Sequence, residues 1–351
     1  MMYIGLDVHA RTFAMAVVNG RGRVMFEGEW ETSCESLREA VGAIAGRKRV
    51  VLEESTTASW VYRLLKPQAD EVVVADPWHN RLIGKDEKLD DKEAARKLAR
   101  LLRAGEIRPV HHTDELERQV FKELVLMYHD AVAETTRCKN RLKAKFQQHG
   151  VRCGGRELYR SDQRASWRKQ LPSPGTRYQA DLLWEALDQA QERRARLHAR
   201  LTRQARAFEP IRRFMGVPGV GVVRAATFYA LVDTPHRFAT RSKLWVYCGI
   251  GLAQRTSGEK SEPAHLARRF NRQLKDVVKG AAQTAIQLGD NPFAAKYQRQ
   301  RANGRSAEKA WLAVSRSVVS TLWSMWLTGS EYRPRPAGEP WPTPAPRRSA
   351  A

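Results

Sequence analysis

Cysteine is scarce in this chain, with four in 351 residues. Cys34, Cys138, Cys153 and Cys248 stand far apart and show no CxxC spacing, which argues against both a disulfide framework and a zinc ribbon and suits a reducing cytoplasm. No apolar run approaches the ~18 residues of a membrane span. The opening MMYIGLDVHA lacks a basic stretch followed by an apolar one, so a secretory signal is not expected. No internal repeat is found. Acidic side chains are also in short supply: 38 against 61 lysines and arginines leaves a net charge of +23 and an isoelectric point near 10.3. A surplus of that size suits a polyanionic partner better than a small neutral substrate.

The surplus is unevenly spread. Residues 1–112 carry 18 basic and 17 acidic side chains, whereas residues 113–210 carry a net +7 and residues 211–351 a net +15. The near-neutral first third therefore keeps carboxylates for some other use. Its pattern is mixed α/β: short strands over 3–8, 13–18 and 23–29 with turn chemistry at Asn19-Gly20 and Gly22, a helix near 34–45, and strands around Val50–Leu52 and Glu71–Ala75 separated by a helical stretch. Residues 91–105 read as a helix ending on Gly105.

Residues 113–210 hold two long, highly charged helical stretches, 114–150 and 178–208, broken by Pro172, Pro174 and Gly175. They are expected to form an antiparallel pair or coiled coil that acts as a spacer and dimer seam, with basic faces against nucleic acid. A mainly helical domain is expected over 211–329, with helices at 222–232, 241–247, 264–288 and 306–328. Residues 330–351 form a proline-rich tail expected to be disordered.

Three constellations suit chemistry. Asp7 lies mid-strand between apolar neighbours, where a carboxylate costs desolvation unless something binds it. Glu53 and Glu54 end a strand, and Asp90, Asp91 and Glu93 begin the next helix but one. Carboxylates so placed can converge on Mg²⁺ and clamp a phosphodiester, although each of the helix-start acids also fits a plain capping or surface role. In GVPGVGVVRAATFYALV (216–232), Gly219 and Gly221 allow a tight turn whose N–H groups face a phosphate, as in a helix-hairpin-helix element, or else an ordinary turn between helices. Ser257 lies in a polar loop with Arg255, Lys260, Arg268 and Arg269. That suits phosphoryl attack, or a solvated turn.

IGLDVH, the LEE strand end, the helix DKEAARKLARLLRAG, the basic helical section, PGVG and CGIGL…TSGEK…RRFNRQL occur in this order over residues 2–328. Taken together they resemble the DEDD-type insertion-sequence transposases, whose studied members are bridge-RNA-guided serine recombinases. The resemblance implies a RuvC-like, RNase H-fold domain over 1–112 with four acids, a coiled-coil connector, and a C-terminal transposase domain with a nucleophilic serine. Asp7 matches the first acid and Glu53 the second, with Glu54 as its fallback. Registering the family's D-x-x-D pattern on ARKLA puts the third acid at Asp91 and the fourth at position 94, which is Ala94. Either Asp90 and Glu93 substitute with a one-residue shift, or the fourth acid is absent, as in a chain altered to block metal-dependent chemistry.

Ser257-Gly258 matches the family's serine motif. Of its downstream lysine-glycine-asparagine element, only Arg269 and Asn271 have counterparts, which suits phosphate contact. The resemblance further implies donor and target DNA, a structured guide RNA, Mg²⁺, and a dimer or tetramer with a composite site across subunits. A RuvC-like junction nuclease without serine chemistry and a non-catalytic nucleic-acid scaffold are the alternatives.

Overall fold

The computed structural model describes residues 1–77, 90–252 and 265–334, and the backbone alone of 253, 256–257 and 260–261. The chain divides into two compact units, Met1–Leu116 and Glu117–Ala351.

The N-terminal unit is built on a six-stranded sheet of order β3-β2-β1-β4-β5-β6. Its strands are β1 (Met2–Val8), β2 (Thr12–Asn19), β3 (Val24–Glu31), β4 (Lys48–Glu53), β5 (Glu71–Ala75) and the short β6 (Pro109–Val110). β1, β2 and β3 pair antiparallel, β4 runs parallel to both β1 and β5, and β6 closes the edge antiparallel. Gly22 takes a positive φ of 86°, and the Asn19 side-chain oxygen accepts from the Arg21 and Arg23 amides, which fixes the β2–β3 turn.

Because strand side chains alternate, the sheet has two faces of different character. Ile4, Leu6, Phe13, Met15, Val50, Leu52 and Val74 pack on helices α1 (Cys34–Gly42) and α2 (Ala58–Leu65) through Leu37, Val41, Val61 and Leu65. The opposite face carries Val51, Val73 and Ala75 against Leu98 and Leu102 of helix α3 (Asp91–Ala104), with Ala14, Ala16 and Ala95 alongside. α3 closes on Gly105 in the left-handed region at φ 73°, as the sequence pattern predicts.

α3 sits unusually close to the sheet. A Cβ at Gly5 would lie 2.0 Å from the Ala95 carbonyl oxygen and 2.7 Å from the Ala99 amide nitrogen. Glycine mid-strand normally weakens a sheet, and here it is the condition for backbone-to-backbone contact.

The C-terminal unit begins with two 32-residue helices, α4 (Leu116–Gln147) and α6 (Pro174–Ala205), with the short α5 (Arg164–Lys169) between them. Phe121, Val125, Tyr128, Ala131, Thr135, Cys138, Leu142 and Phe146 are the buried residues of α4, a three-four spacing. The Cys138 thiol lies 3.8 Å from the Ala186 carbonyl and the Thr135 hydroxyl 3.4 Å from that of Ala190, so the helices run antiparallel. Ser173 and Thr176 form a reciprocal capping box, with Pro174 at the first turn of α6.

Beyond α7 (Glu209–Phe214) the core centres on α8 (Val222–Val232), of which all residues from Ala225 to Val232 are buried. It packs with α10 (Arg272–Leu288) and α12 (Ala307–Thr328). Two sequence expectations shift. The helix expected over 264–288 starts only at Arg272, where the Asn271 side chain accepts from the Leu274 amide; after β7 (Leu252–Ala253), β8 (Thr256–Ser257) and β9 (Lys260–Ser261), His265–Leu266 is instead a short strand, β10, paired with β7. A further helix, α11 (Pro292–Ala302), stands where the sequence pattern assigned no element, and is started by Asn291, whose Oδ1 accepts from Phe293 and Ala294. No helix among the described residues is long and apolar enough to cross a membrane. Of the expected tail, residues from 335 onward lie outside the described residues.

Gly5→Ala is expected to destabilise the N-terminal unit by about 3 kcal/mol, the upper range for overpacking, because the added carbon meets backbone that cannot rotate away. Urea unfolding followed by Trp fluorescence measures it.

Candidate functional site

The site assembles at the C-terminal end of β1. Ile4 and Leu6 point to the α1–α2 side, so Gly5 and Asp7 point to the α3 side. The parallel register pairs Leu6 with Leu52, and one residue further along each strand come Asp7 and Glu53. The contact at Gly5 brings the first turn of α3, with Asp91, over the same strand end. A carboxylate there also favours the positive end of the helix dipole.

Asp7, His9 and Asp91 converge, each offering a ligand atom within 4.8 Å of the others. His9 Nε2 lies 3.4 Å from Asp7 Oδ2 and 3.7 Å from Asp91 Oδ1. The pKa of Asp7 is pushed up, first by burial and then by the charges of Asp91 and Glu53, while His9 pulls it back down. The start of α3 is held on the sheet by Arg96, whose Nε and Nη2 donate to the Glu27 carboxylate on β3 at 2.5 and 2.8 Å. That pair also lowers the Glu27 pKa. Two carboxylates and an imidazole, mostly hard oxygen donors, converge there in an arrangement that could hold a divalent cation, and the charge of Glu53 bears on Asp7.

The adjacent glutamates part company. Glu54 Oε2 sits 2.5 Å from His112 Nε2, and His112 Nδ1 is 3.0 Å from the Ser59 hydroxyl, so Glu54 belongs to a separate chain of contacts. Glu53 is the one whose charge reaches Asp7. Asp90 is the N-cap residue of α3, without a side-chain capping bond, and both Asp90 and Glu93 are exposed. Ala94 lies three residues after Asp91 in the first turns of α3, half-buried, and offers a methyl where a carboxylate would follow Asp91. Asp86 and Glu87, just upstream of the acids that begin α3 and expected from the sequence to be solvated, lie outside the described residues.

In the C-terminal unit, Thr256–Ser257 and Lys260–Ser261 pair as an antiparallel hairpin, Ser257 opposite Lys260. It lies between β7 and β10, and so between α9 (Arg241–Tyr247) and α10 in the chain. Arg255 and the side chains of Ser257 and Lys260 lie outside the described residues. Arg268 and Arg269 are exposed, and Asn271 is occupied as the α10 cap. Gly221 is exposed at the start of α8, with open space around it. Gly219 faces inward: at φ 83° its missing Cβ would lie 2.2 Å from the Ala281 carbonyl oxygen, so its lack of a side chain serves the packing of α10.

Two residues escaped the sequence reading. His9 stands in the quoted motif IGLDVH, two positions after Asp7 and hence on the same face of an extended strand, a signal available from period two alone. Arg316 of α12 donates from Nε to the Ile250 carbonyl at 2.8 Å and lies over the Trp245 ring, steadying the segment that leads to the Ser257 hairpin. Nothing in the local sequence marks it.

A family model of IS110 DEDD type, described as transposase, matches residues 4–150, and one described as transposase, IS116/IS110/IS902 family, matches residues 211–298. The insertion element IS110 uncharacterized 43.6 kDa protein of Streptomyces coelicolor is 32% identical over 159 residues, 44% of this chain and 38% of that protein. The insertion element IS116 uncharacterized 44.8 kDa protein of Streptomyces clavuligerus is 29% identical over 120 residues, 34% of this chain and 30% of its own. The aligned part thus spans well under half the length of either Streptomyces protein. The transposase for insertion sequence element IS1111A of Coxiella burnetii is 21% identical over 346 residues, 94% of this chain and 91% of its own.

The raised pKa of Asp7 has a direct consequence for stability. A proton is held more tightly in the folded chain than in the unfolded one. Its stabilising effect is therefore complete below the ordinary value of 3.8 and is lost as pH rises through the folded value. Asp7→Asn is expected to stabilise the metal-free protein at neutral pH, with the gain disappearing under acid conditions below 3.8. Urea midpoints of both proteins across this range check the sign.

Proposed function

We propose that this chain, which carries IS110-family DEDD and IS116/IS110/IS902 transposase domains, is a site-specific DNA recombinase that excises and inserts a mobile element. The observation that carries the reading is the convergence of Asp7 and Asp91, with the charge of Glu53 bearing on Asp7, at the end of β1 in an otherwise basic protein. A mixed sheet with antiparallel β1–β3 and parallel β1, β4 and β5 suits a RuvC-like domain. Asp7, Glu53 and Asp91 would hold Mg²⁺. That ion, when bound, supplies positive charge against a phosphodiester.

The chain's own residues divide the remaining work. Ser257 Oγ attacks a DNA phosphorus atom; the Oγ–P bond forms as the bond from phosphorus to a deoxyribose oxygen breaks, and the serine proton ends on the released hydroxyl. The link is a phosphodiester exchange, so a second DNA hydroxyl can reverse it onto a new strand without further energy input. Arg255, Lys260, Arg268 and Arg269 would offset charge on the phosphate. Gly221, exposed at the start of α8, suits backbone contact with DNA in a helix-hairpin-helix manner, and Gly219 and Asn271 would act through the helices they seat and cap.

The +22 carried by residues 113–351 suits two nucleic acids, DNA and a structured guide RNA that selects donor and target by base pairing. A dimer or tetramer would bring two DNA ends together. The missing acid at position 94 would leave the chain able to bind and poor at cutting.

Ala94→Asp is expected to raise Mg²⁺-dependent recombination of a supercoiled donor–target substrate ~10–100-fold, the range over which metal-site partners act. In that background Ser257→Ala should remove the covalent protein–DNA species and strand exchange while leaving binding intact. A plain metal nuclease would keep cutting without Ser257. A scaffold would not cut in either form.

A further inference from the structure

Asp7 and Asp91 meet a third group that the acidic pattern does not contain. His9 follows Val8 at the end of β1, and its backbone is tied on both sides: its amide donates to the Thr12 carbonyl at 2.9 Å, and its carbonyl accepts from the Thr32 hydroxyl at 3.0 Å. The ring is thereby presented at the mouth of the site, 56% exposed. Its Nε2 stands 3.4 and 3.7 Å from the two carboxylate oxygens, longer than the ordinary 2.7–3.2 Å of an N–H···O bond.

Those separations are close to those of donors that share an ion. Two atoms each about 2.1 Å from one cation lie roughly 3.0 Å apart at octahedral angles and roughly 3.4 Å apart at tetrahedral ones, so a small turn of the exposed His9 ring would bring its nitrogen into the same shell as both carboxylates. Position 94 offers only a methyl, and His9 is the nitrogen donor that, among the described residues, lies within 4.8 Å of ligand atoms of both Asp7 and Asp91.

We propose that His9 Nε2 is a direct metal ligand beside Asp7 and Asp91, and that this chain's site therefore favours Mn²⁺ over Mg²⁺. Mg²⁺ demands near-octahedral oxygen coordination and keeps its water, whereas imidazole is a better partner for the transition ions. The proposal rests on the reading of Asp7 and Asp91 as cation ligands. The competing arrangement is a protonated His9 that bridges the two carboxylates and occupies the place of a cation; its removal would leave ion binding unchanged or tighter.

Titration of the full chain with Mn²⁺, followed by electron paramagnetic resonance, separates these. Wild type is expected to bind Mn²⁺ with a nitrogen coupling in the pulsed spectrum and to resist displacement by Mg²⁺. His9→Ala should lose that coupling and bind Mn²⁺ ~10–100-fold more weakly, at least the loss seen when a ligand's supporting partner is removed. His9→Asp should restore affinity without the coupling and narrow the preference over Mg²⁺. Circular dichroism verifies that each variant is folded. If Asp7→Asn abolishes binding while His9→Ala matches or exceeds wild type, the role of His9 is overturned and the carboxylate site stands. If wild type and Asp7→Asn bind Mn²⁺ equally or not at all, both readings fall.

Discussion

Helix α3 touches β1 backbone to backbone because position 5 has no side chain to hold them apart. From that contact follow the small residues Ala95 and Ala99 on the facing turn, the nearness of the first turn of α3 to the strand end, and the meeting of Asp91 with Asp7. Arg96 and Glu27 then fix the rotation of the helix about the contact, since a two-pronged pair tolerates little twist. The C-terminal unit uses the same device once more, with Gly219 against the carbonyl of Ala281. In both places a glycine trades local backbone stability for a fixed distance between a helix and its neighbour.

The carboxylate site is held together against its own charge. Burial and two neighbouring acids disfavour an ionised Asp7, and only His9 opposes them. The strand and helix ends that carry these groups are held in place by hydrophobic packing on both faces of the sheet. The unfavourable electrostatics are confined to one end of one strand, where a bound cation would convert them to attraction.

Much of this was legible in the sequence, for physical reasons that differ by element. Strands β1 to β5 were readable because alternation and turn residues coincide, whereas the two-residue β6 is too short to show a period; α3 was readable because an acidic first turn, an apolar stripe and Gly105 all agree. Asp7 stood out through its apolar neighbours. The different surroundings of Glu53 and Glu54 were beyond the sequence, since they depend on His112, 58 residues from Glu54 and brought to it only by the fold. The start of α10 was misplaced because an apolar periodicity carries through residues 264–271 without revealing that Asn271 turns the chain. α11 was missed because its cap, Asn291-Pro292, also reads as a loop. The sequence placed Ser257 in a polar loop, and the short hairpin it forms there was not legible, because a serine among glycines and basic residues has no periodicity to betray a strand.

The antiparallel pair α4 and α6 has a dimension as well as a seam. Thirty-two residues at 1.5 Å each make a rod of about 48 Å. One end is rooted in the main core through Phe121, Leu201 and Ala205, while the other carries its own small core around Phe146, Trp184, Leu158 and Leu171. Along B-form DNA that length corresponds to about 14 base pairs at 3.4 Å per pair. The Trp184 indole donates to the Leu158 carbonyl, and this bond closes the far tip against fraying. The C-terminal unit thus contains a gauge: whatever touches the tip is set at a fixed, whole-turn-scale distance from whatever touches the root.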